Sequence, residues 1–387
     1  MAETMRLSGF DSDGFLRDNW QQRPLLIRNP WNAWRNPLEP DELAGLACES
    51  EVESRLVIQT GDSWELEHGP LPAERFGQLG ESPWTLLVQA VDHHVPQVAA
   101  LLDRLRFIPN WRVDDVMVSY AEDGGGVGPH FDNYDVFLVQ GLGRRRWQIG
   151  AKCDAATELL PHPELRLLAK FEAEQEWVLE PGDMLYIPPG IAHNGVAVGD
   201  DCMTYSIGFR APARSELIAG WAEAMLAGLE EDDRYRDPGL IRQDNPGEIT
   251  PRALSDLHAM ITEALRDRDT FARWFGQYAT APKNPAIDWE PELPLDIEEL
   301  RNRLEGGLSL LRNPAIRFSF IRGREDTLGL FVDGQHFACQ GATAALAERL
   351  CADDRLAVDA ALAGSDEVLE LLLELLEQGS VAFDTGG

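Results

Sequence analysis

GGGVGPHFDNYDVFLVQGLGRRRWQIG, running from Gly124 to Gly150, decides how this chain is read. His130 and Asp132 stand two apart in it, and side chains two apart on an extended strand share one face. An imidazole and a carboxylate then project side by side, with Phe131 turned the other way. A lone His-x-Asp is most often a surface pair, but one more imidazole makes a two-His, one-carboxylate triad. Such a triad ties down one face of octahedral Fe(II) and leaves three positions open. His193 is the candidate. It lies in EPGDMLYIPPGIAHNGVAV, where Pro181-Gly182-Asp183 predicts a tight turn, Met184 to Ile187 a strand, and Pro188-Pro189-Gly190 a turn back to the same barrel end. The other histidines lack such context: His68, His162, His258 and His336 are single, and the adjacent His93 and His94 cannot share a strand face. Zinc accepts the same donors, and the pattern does not choose between the metals.

Arg144-Arg145-Arg146 follows Gly141-Leu142-Gly143, which reads as a turn. A barrel interior that holds a dicarboxylate needs one inward arginine, whose planar fork pairs with a terminal carboxylate. A two- or four-residue loop would put Arg145 on the ligand face, and a three-residue loop would put Arg144 and Arg146 there. The pattern leaves this open. Upstream, Asp115, Met117 and Ser119 alternate onto one face, and Tyr134 shares the face of the metal ligands. An acid, a thioether and an aromatic ring suit a long cationic side chain.

The 387 residues carry 34 basic and 66 acidic side chains, a net charge of −32. At roughly 150 residues per domain the length predicts two or three domains, and a 44% apolar content can fill their cores. Eleven Trp and fifteen Phe exclude a disordered chain. The negative charge repels phosphate backbones and anionic lipid, so a basic partner is expected rather than nucleic acid or membrane. Cys48, Cys153, Cys202, Cys339 and Cys351 are odd in number and scattered, as free thiols in a reducing compartment are. MAETMRLSGF lacks a basic region followed by an apolar stretch, and no run of about 18 apolar residues occurs, so the expected location is the cytoplasm.

By texture the chain falls into three parts. Up to about residue 210, short apolar runs such as Val116 to Tyr120 and Val136 to Gln140 alternate with Gly, Pro, Asn and Asp, which predicts an antiparallel β barrel or sandwich. From Ala211 to about Tyr278 the period becomes helical, with Leu217, Trp221, Met225 and Leu229 on one stripe that suits homodimerisation as well as packing. Lys283 to Pro294 reads as a linker. Beyond it, IRFSFI, LGLFV, ATAALAERL, DEVLELLLELLEQG and VAF predict a small α+β unit of winged-helix type. Residues 276 to 387 hold nine Lys and Arg against twenty Asp and Glu, which argues for packing or protein contact there rather than DNA binding.

These motifs resemble those of the JmjC-type ribosomal oxygenases, specifically the bacterial ribosomal protein arginine hydroxylases. The features that carry the resemblance are Phe15-Leu16, Trp20, Arg23-Pro24-Leu25-Leu26-Ile27, the two long stretches quoted above, and TYSIGFRAP from Thr204 to Pro212. The resemblance implies a mainly β N-terminal double-stranded β-helix (cupin/JmjC) over 1–210, a helical dimerisation segment over 211–282 and a winged-helix-like C-terminal domain over 283–387. It implies Fe(II) and 2-oxoglutarate as cofactor and co-substrate, and hydroxylation of the β carbon of one arginine in large-subunit ribosomal protein sixteen. His130, Asp132 and His193 become the iron ligands. The family's oxoglutarate-binding basic residue falls fifteen positions after the first ligand, at Arg145, with Ser119 as second partner. The substrate arginine would lie between Met117 and Tyr134, with Asp115 on its guanidinium and Ser206 assisting. The partners implied are a basic ribosomal protein and a second copy of the chain. The alternatives are a JmjC hydroxylase or demethylase acting on His or Lys, or a non-catalytic metal-binding cupin module.

Overall fold

A computed structural model describes residues 7–61, 63–80, 82–230, 232–285, 287, 289 and 295–384. The linker expected from Lys283 to Pro294 lies in part outside them. By internal contacts the chain separates into two units, one formed mainly by residues up to 211 and the other mainly by those from 212 onward.

The first unit is one antiparallel sheet curved around a cavity. Its strands are β1 (Leu25–Ile27), β2 (Ser54–Thr60), β3 (Ser63–His68), β4 (Trp84–Val88), β5 (Val113–Ala121), β6 (Asp135–Lys152), β7 (Gln175–Leu179), β8 (Met184–Ile187) and β9 (Ile191–Phe209). The order is β1-β8-β6-β9-β5-β4-β2-β3, with β7 also on β6. Helices α1 (Ser12–Asp18), α2 (Pro40–Leu46), α3 (Ala73–Phe76) and α4 (Pro96–Ala99) precede β5. Both faces of the central strands are buried, which is why VFLV and MLYI read as continuous apolar runs. Phe137, Val139, Met184, Tyr186 and Phe209 point outward into a core shared with Phe15 of α1. Val136, Leu138, Leu185 and Ile187 point inward and pack with Trp147.

The sequence suggests a turn at Gly141-Leu142-Gly143, and the structure corrects this. Strand β6 runs unbroken through the three residues, pairing with β8 up to Val139 and with β7 from Arg145. The register against β9 shifts between Gln140 and Leu142 and again between Leu142 and Arg144. These bulges bend the strand without ending it, because β9 stays paired on both sides. Gly143 has φ +55°, and a Cβ there would meet Asp201 O at 2.6 Å, so glycine is needed where the bent strands approach.

The second unit begins with α5 (Arg214–Ala227), α6 (Pro251–Ala264) and α7 (Arg268–Thr280). Then come α8 (Ile297–Glu305), β10 (Leu310–Arg312), β11 (Phe318–Arg322), β12 (Thr327–Val332), β13 (Gln335–Gln340), α9 (Ala342–Ala352), β14 (Arg355–Leu356), α10 (Ala360–Ala363), α11 (Asp366–Glu377) and β15 (Val381–Phe383). Strands β11, β12 and β13 form a meander, and β14, β10 and β15 a second small sheet. Trp221 is buried in α5, while Leu217 and Met225 are half-buried and Leu229 is exposed beyond the helix end. Among the described residues no helix is long and apolar enough to cross a membrane.

Candidate metal centre

His130, in the extended segment before β6, and His193, in β9, form an isolated antiparallel bridge. Each Nδ1–H donates to a backbone carbonyl two residues back, Gly128 O for His130 and Ile191 O for His193, both at 2.9 Å. That fixes the tautomers and leaves both Nε2 lone pairs aimed at Asp132. Asp132 Oδ2 is 3.8 Å from His130 Nε2 and 3.5 Å from His193 Nε2. Its backbone is anchored by Gly190 N–H on Asp132 O at 2.7 Å. Burial, then the neighbouring His130, push the His193 pKa down to about 4, so the ring is neutral. Two lone pairs and a carboxylate thus converge with no donor among them, an arrangement that a bound cation reconciles. Among the described residues this is the one cluster of three or more such groups, with ligand atoms within 4.8 Å of one another.

The approach of His130 to β9 depends on the glycines before it. A Cβ on Gly126 would meet Gly195 O at 2.4 Å, so this loop can lie against β9 only without a side chain there. Residues 131–134 leave strand geometry before β6 begins. As a result Phe131, expected to turn away, lines the same cavity as the two imidazoles.

The cavity measures about 310 Å³ and also takes in Met117, Ser119, Tyr134, Arg145 and Ser206. On β5 the alternation holds: Val116 and Val118 are buried in the outer core while Met117 and Ser119 face the cavity. Arg145 turns inward and is 3% exposed, whereas Arg144 and Arg146 are exposed. The β6 bulges decide this. Val136 and Leu138 point in before them and Arg145 and Trp147 after them, a change from even to odd that an unbulged strand could not make. Arg145 Nη2 is buried with no acceptor among the described residues.

Asp115 is placed differently from its neighbours. It is buried, and its Oδ2 accepts hydrogen bonds from Gln89 Nε2 at 2.7 Å and Ala90 N at 2.9 Å. It is not among the residues lining the cavity; a register irregularity between Val113 and Val116 interrupts the alternation there. Tyr134 as a residue is 41% exposed. Burial of its hydroxyl first, then the charge and hydrogen bond of Asp132, raise its pKa far above the usual phenol value.

Sequence reasoning missed several lining residues. Trp147, whose ring centroid is 5.9 Å from that of His193, stands two after Arg145 and was legible as its same-face neighbour. Arg55 comes from an ordinary-looking β2, and Glu164 and Arg166 from the loop between β6 and β7. None of these carries a local signal, because only the folding of β2 and that loop over the barrel mouth brings them in.

A family model described as the JmjC domain matches residues 100–217. One described as a ROXA-like winged helix matches 262–382, and one described as an AraC-like ligand binding domain matches 171–265. The chain is 41% identical over 322 residues to the "Ribosomal protein uL16 3-hydroxylase" of Escherichia coli K12, covering 83% of this chain and 85% of that protein. It is 46% identical over 228 residues to a "Probable ribosomal oxygenase" of Haemophilus influenzae, covering 58% of this chain and 54% of that one. A crystal structure of E. coli YcfD superposes with TM-score 0.89 at 36% identity, covering 99% of this chain and 100% of that one. A structure of the ribosomal oxygenase YcfD from E. coli in complex with cobalt and 2-oxoglutarate gives TM-score 0.86 at 36% identity, covering 98% and 99%.

Proposed function

Because this chain belongs to the JmjC ribosomal oxygenase family, we propose that it is an Fe(II)- and 2-oxoglutarate-dependent dioxygenase that hydroxylates the β carbon of an arginine in ribosomal protein uL16. The observation that carries the reading is the meeting, in one cavity, of a His-Asp-His donor set with a buried arginine that has no carboxylate partner among the described residues. The donor set fits Fe(II), held by His130, Asp132 and His193. Iron so held supplies the activation of O₂ coupled to the decarboxylation of oxoglutarate to succinate.

The chain's own residues do the positioning. Arg145 takes the far carboxylate of the co-substrate, assisted by Ser119. The substrate arginine lies between Met117 and the Tyr134 ring, with Ser206 beside it. The side chain must sit so that the target C–H faces the iron, since small misplacements cost rate steeply.

A homodimer in the cytoplasm, acting on a basic protein rather than on nucleic acid, completes the reading. Ile218 and Leu226 on α5 and Leu254 and Ile261 on α6 are each more than half exposed, an apolar display that a second copy would cover. The test is mass spectrometry of uL16 incubated with the protein, Fe(II) and oxoglutarate. A gain of about 16 Da on one arginine is expected. Loss of oxoglutarate without any gain on uL16 would overturn the substrate assignment, and a gain on His or Lys would redirect it.

A further inference from the structure

The Arg145 guanidinium is held by a sulfur. Its Nε donates to Cys202 Sγ at 3.3 Å. Cys202 is fully buried and accepts a second hydrogen bond from Gln140 Nε2 at 3.6 Å. The Gln140 amide is itself fixed at both ends: Nε2 donates to Leu142 O at 2.7 Å, and Oε1 accepts from Thr204 Oγ1 at 3.1 Å. Cys202 clusters with two small apolar neighbours, Ala121 and Ala197, the latter directly across from Arg145 in the sheet.

This geometry has two consequences for an anion entering the cavity. A guanidinium offers a carboxylate either a side edge that includes Nε or the end edge formed by the two Nη groups. With Nε engaged by Cys202, the end edge is the one left for a ligand, and the buried Nη2, which has no acceptor among the described residues, belongs to it. A thiol is also a weak acceptor. It can fix the direction of the head without cancelling its charge, whereas an Asp or Glu there would pair with Arg145 bidentately and compete with any incoming carboxylate.

We propose that Cys202 is a positioning residue, which turns the Arg145 fork end-on toward the co-substrate carboxylate and keeps its charge available for it. This rests on reading Arg145 as the partner of oxoglutarate. Affinity for the dicarboxylate is then set in part by a residue that never touches it.

The test uses the full-length protein loaded with manganese(II) under oxygen-free conditions, titrated calorimetrically with 2-oxoglutarate. KM and kcat from CO₂ release by the iron-loaded enzyme accompany it. Cys202→Ala is expected to raise Kd and KM about tenfold with kcat within about twofold. Cys202→Ser, which keeps an acceptor of similar size, restores both to within about threefold of wild type. Cys202→Asp raises them by about a hundredfold or more, because the new carboxylate occupies the fork. Wild-type affinity in Cys202→Ala beside an impaired Arg145→Ala would overturn the proposal and leave the site reading intact. Wild-type affinity in Arg145→Ala as well would overturn the site reading itself. A Cys202→Ala variant that lost kcat at unchanged KM would also contradict a positioning role. Should the alanine variant not fold, equal affinities in the serine and aspartate variants would decide against it.

Discussion

His130 and His193 face each other as a hydrogen-bonded pair. The His130 N–H donates to His193 O at 3.0 Å, the His193 N–H donates to His130 O at 2.8 Å, and the ring centroids are 4.3 Å apart. Two ligands 63 positions apart in sequence are thus fixed by one antiparallel bridge in which both backbone N–H groups are exchanged. Metal geometry here is a property of the barrel rather than of a mobile loop.

Asp132 supplies the carboxylate of that donor set. Asp132→Ala is expected to lower oxoglutarate turnover by at least about a hundredfold and to weaken cobalt(II) binding, read from its visible absorption, by a similar factor. Unchanged CO₂ release in this variant would contradict the assignment of the ligand.

Arg145 is buried and lines the cavity, whereas Arg146 is exposed. Arg145→Ala removes a buried charged donor and should raise the oxoglutarate KM about a hundredfold. Arg146→Ala, on the exposed face, should leave it within about twofold. Steady-state kinetics with varied oxoglutarate separates the two, and the reverse ranking would place the inward face on Arg146.

Gly126 sits where a Cβ would strike Gly195 O, two residues from His193. Gly126→Ala should cost about 1–3 kcal/mol of stability and weaken metal binding together. Gly45 in α2 has nothing within 4 Å of such a Cβ, so Gly45→Ala should instead be neutral or stabilise by up to about 1 kcal/mol. Urea unfolding of both variants, with and without metal, is the measurement.

His193 gives the metal-free protein a pH dependence of known sign. Its folded pKa of about 4 lies below the unfolded 6.5, so between those values the unfolded chain binds more protons. The contribution is complete above pH 6.5 and is lost as pH falls toward 4, amounting to about 3 kcal/mol. With chelator present, His193→Gln should lose correspondingly less stability than wild type between pH 7 and pH 4. Parallel losses would show that the buried ring is not the cause.

In the proposed homodimer, the exposed apolar faces of α5 and α6 form the contact. Ile218→Glu combined with Ile261→Glu should convert it to monomer in sedimentation velocity without unfolding either unit, since both side chains already face solvent in the single chain. A monomeric wild-type protein would remove the need for such a contact.

Much of this molecule is written in local pattern. The His130-x-Asp132 spacing, the turns that return His193, the buried strands VFLV and MLYI, and the switch from period two to helical period after residue 210 all depend on near neighbours, and sequence reports near neighbours directly. The strands β10 and β14 carry no signal in their own residues, because what makes them strands is their pairing with each other, Leu310 opposite Leu356, far apart in the chain. Which arginine of 144 to 146 enters the cavity belonged to the tertiary structure, since it depends on bulges in β6 that exist only where that strand bends against β9. The placing of Asp115 outside the lining, the entry of Arg55 and Glu164, and the sulfur of Cys202 on the Arg145 head have the same origin. They are contacts between segments distant in the chain, set by how a curved sheet twists and bulges, and no window of sequence contains both partners.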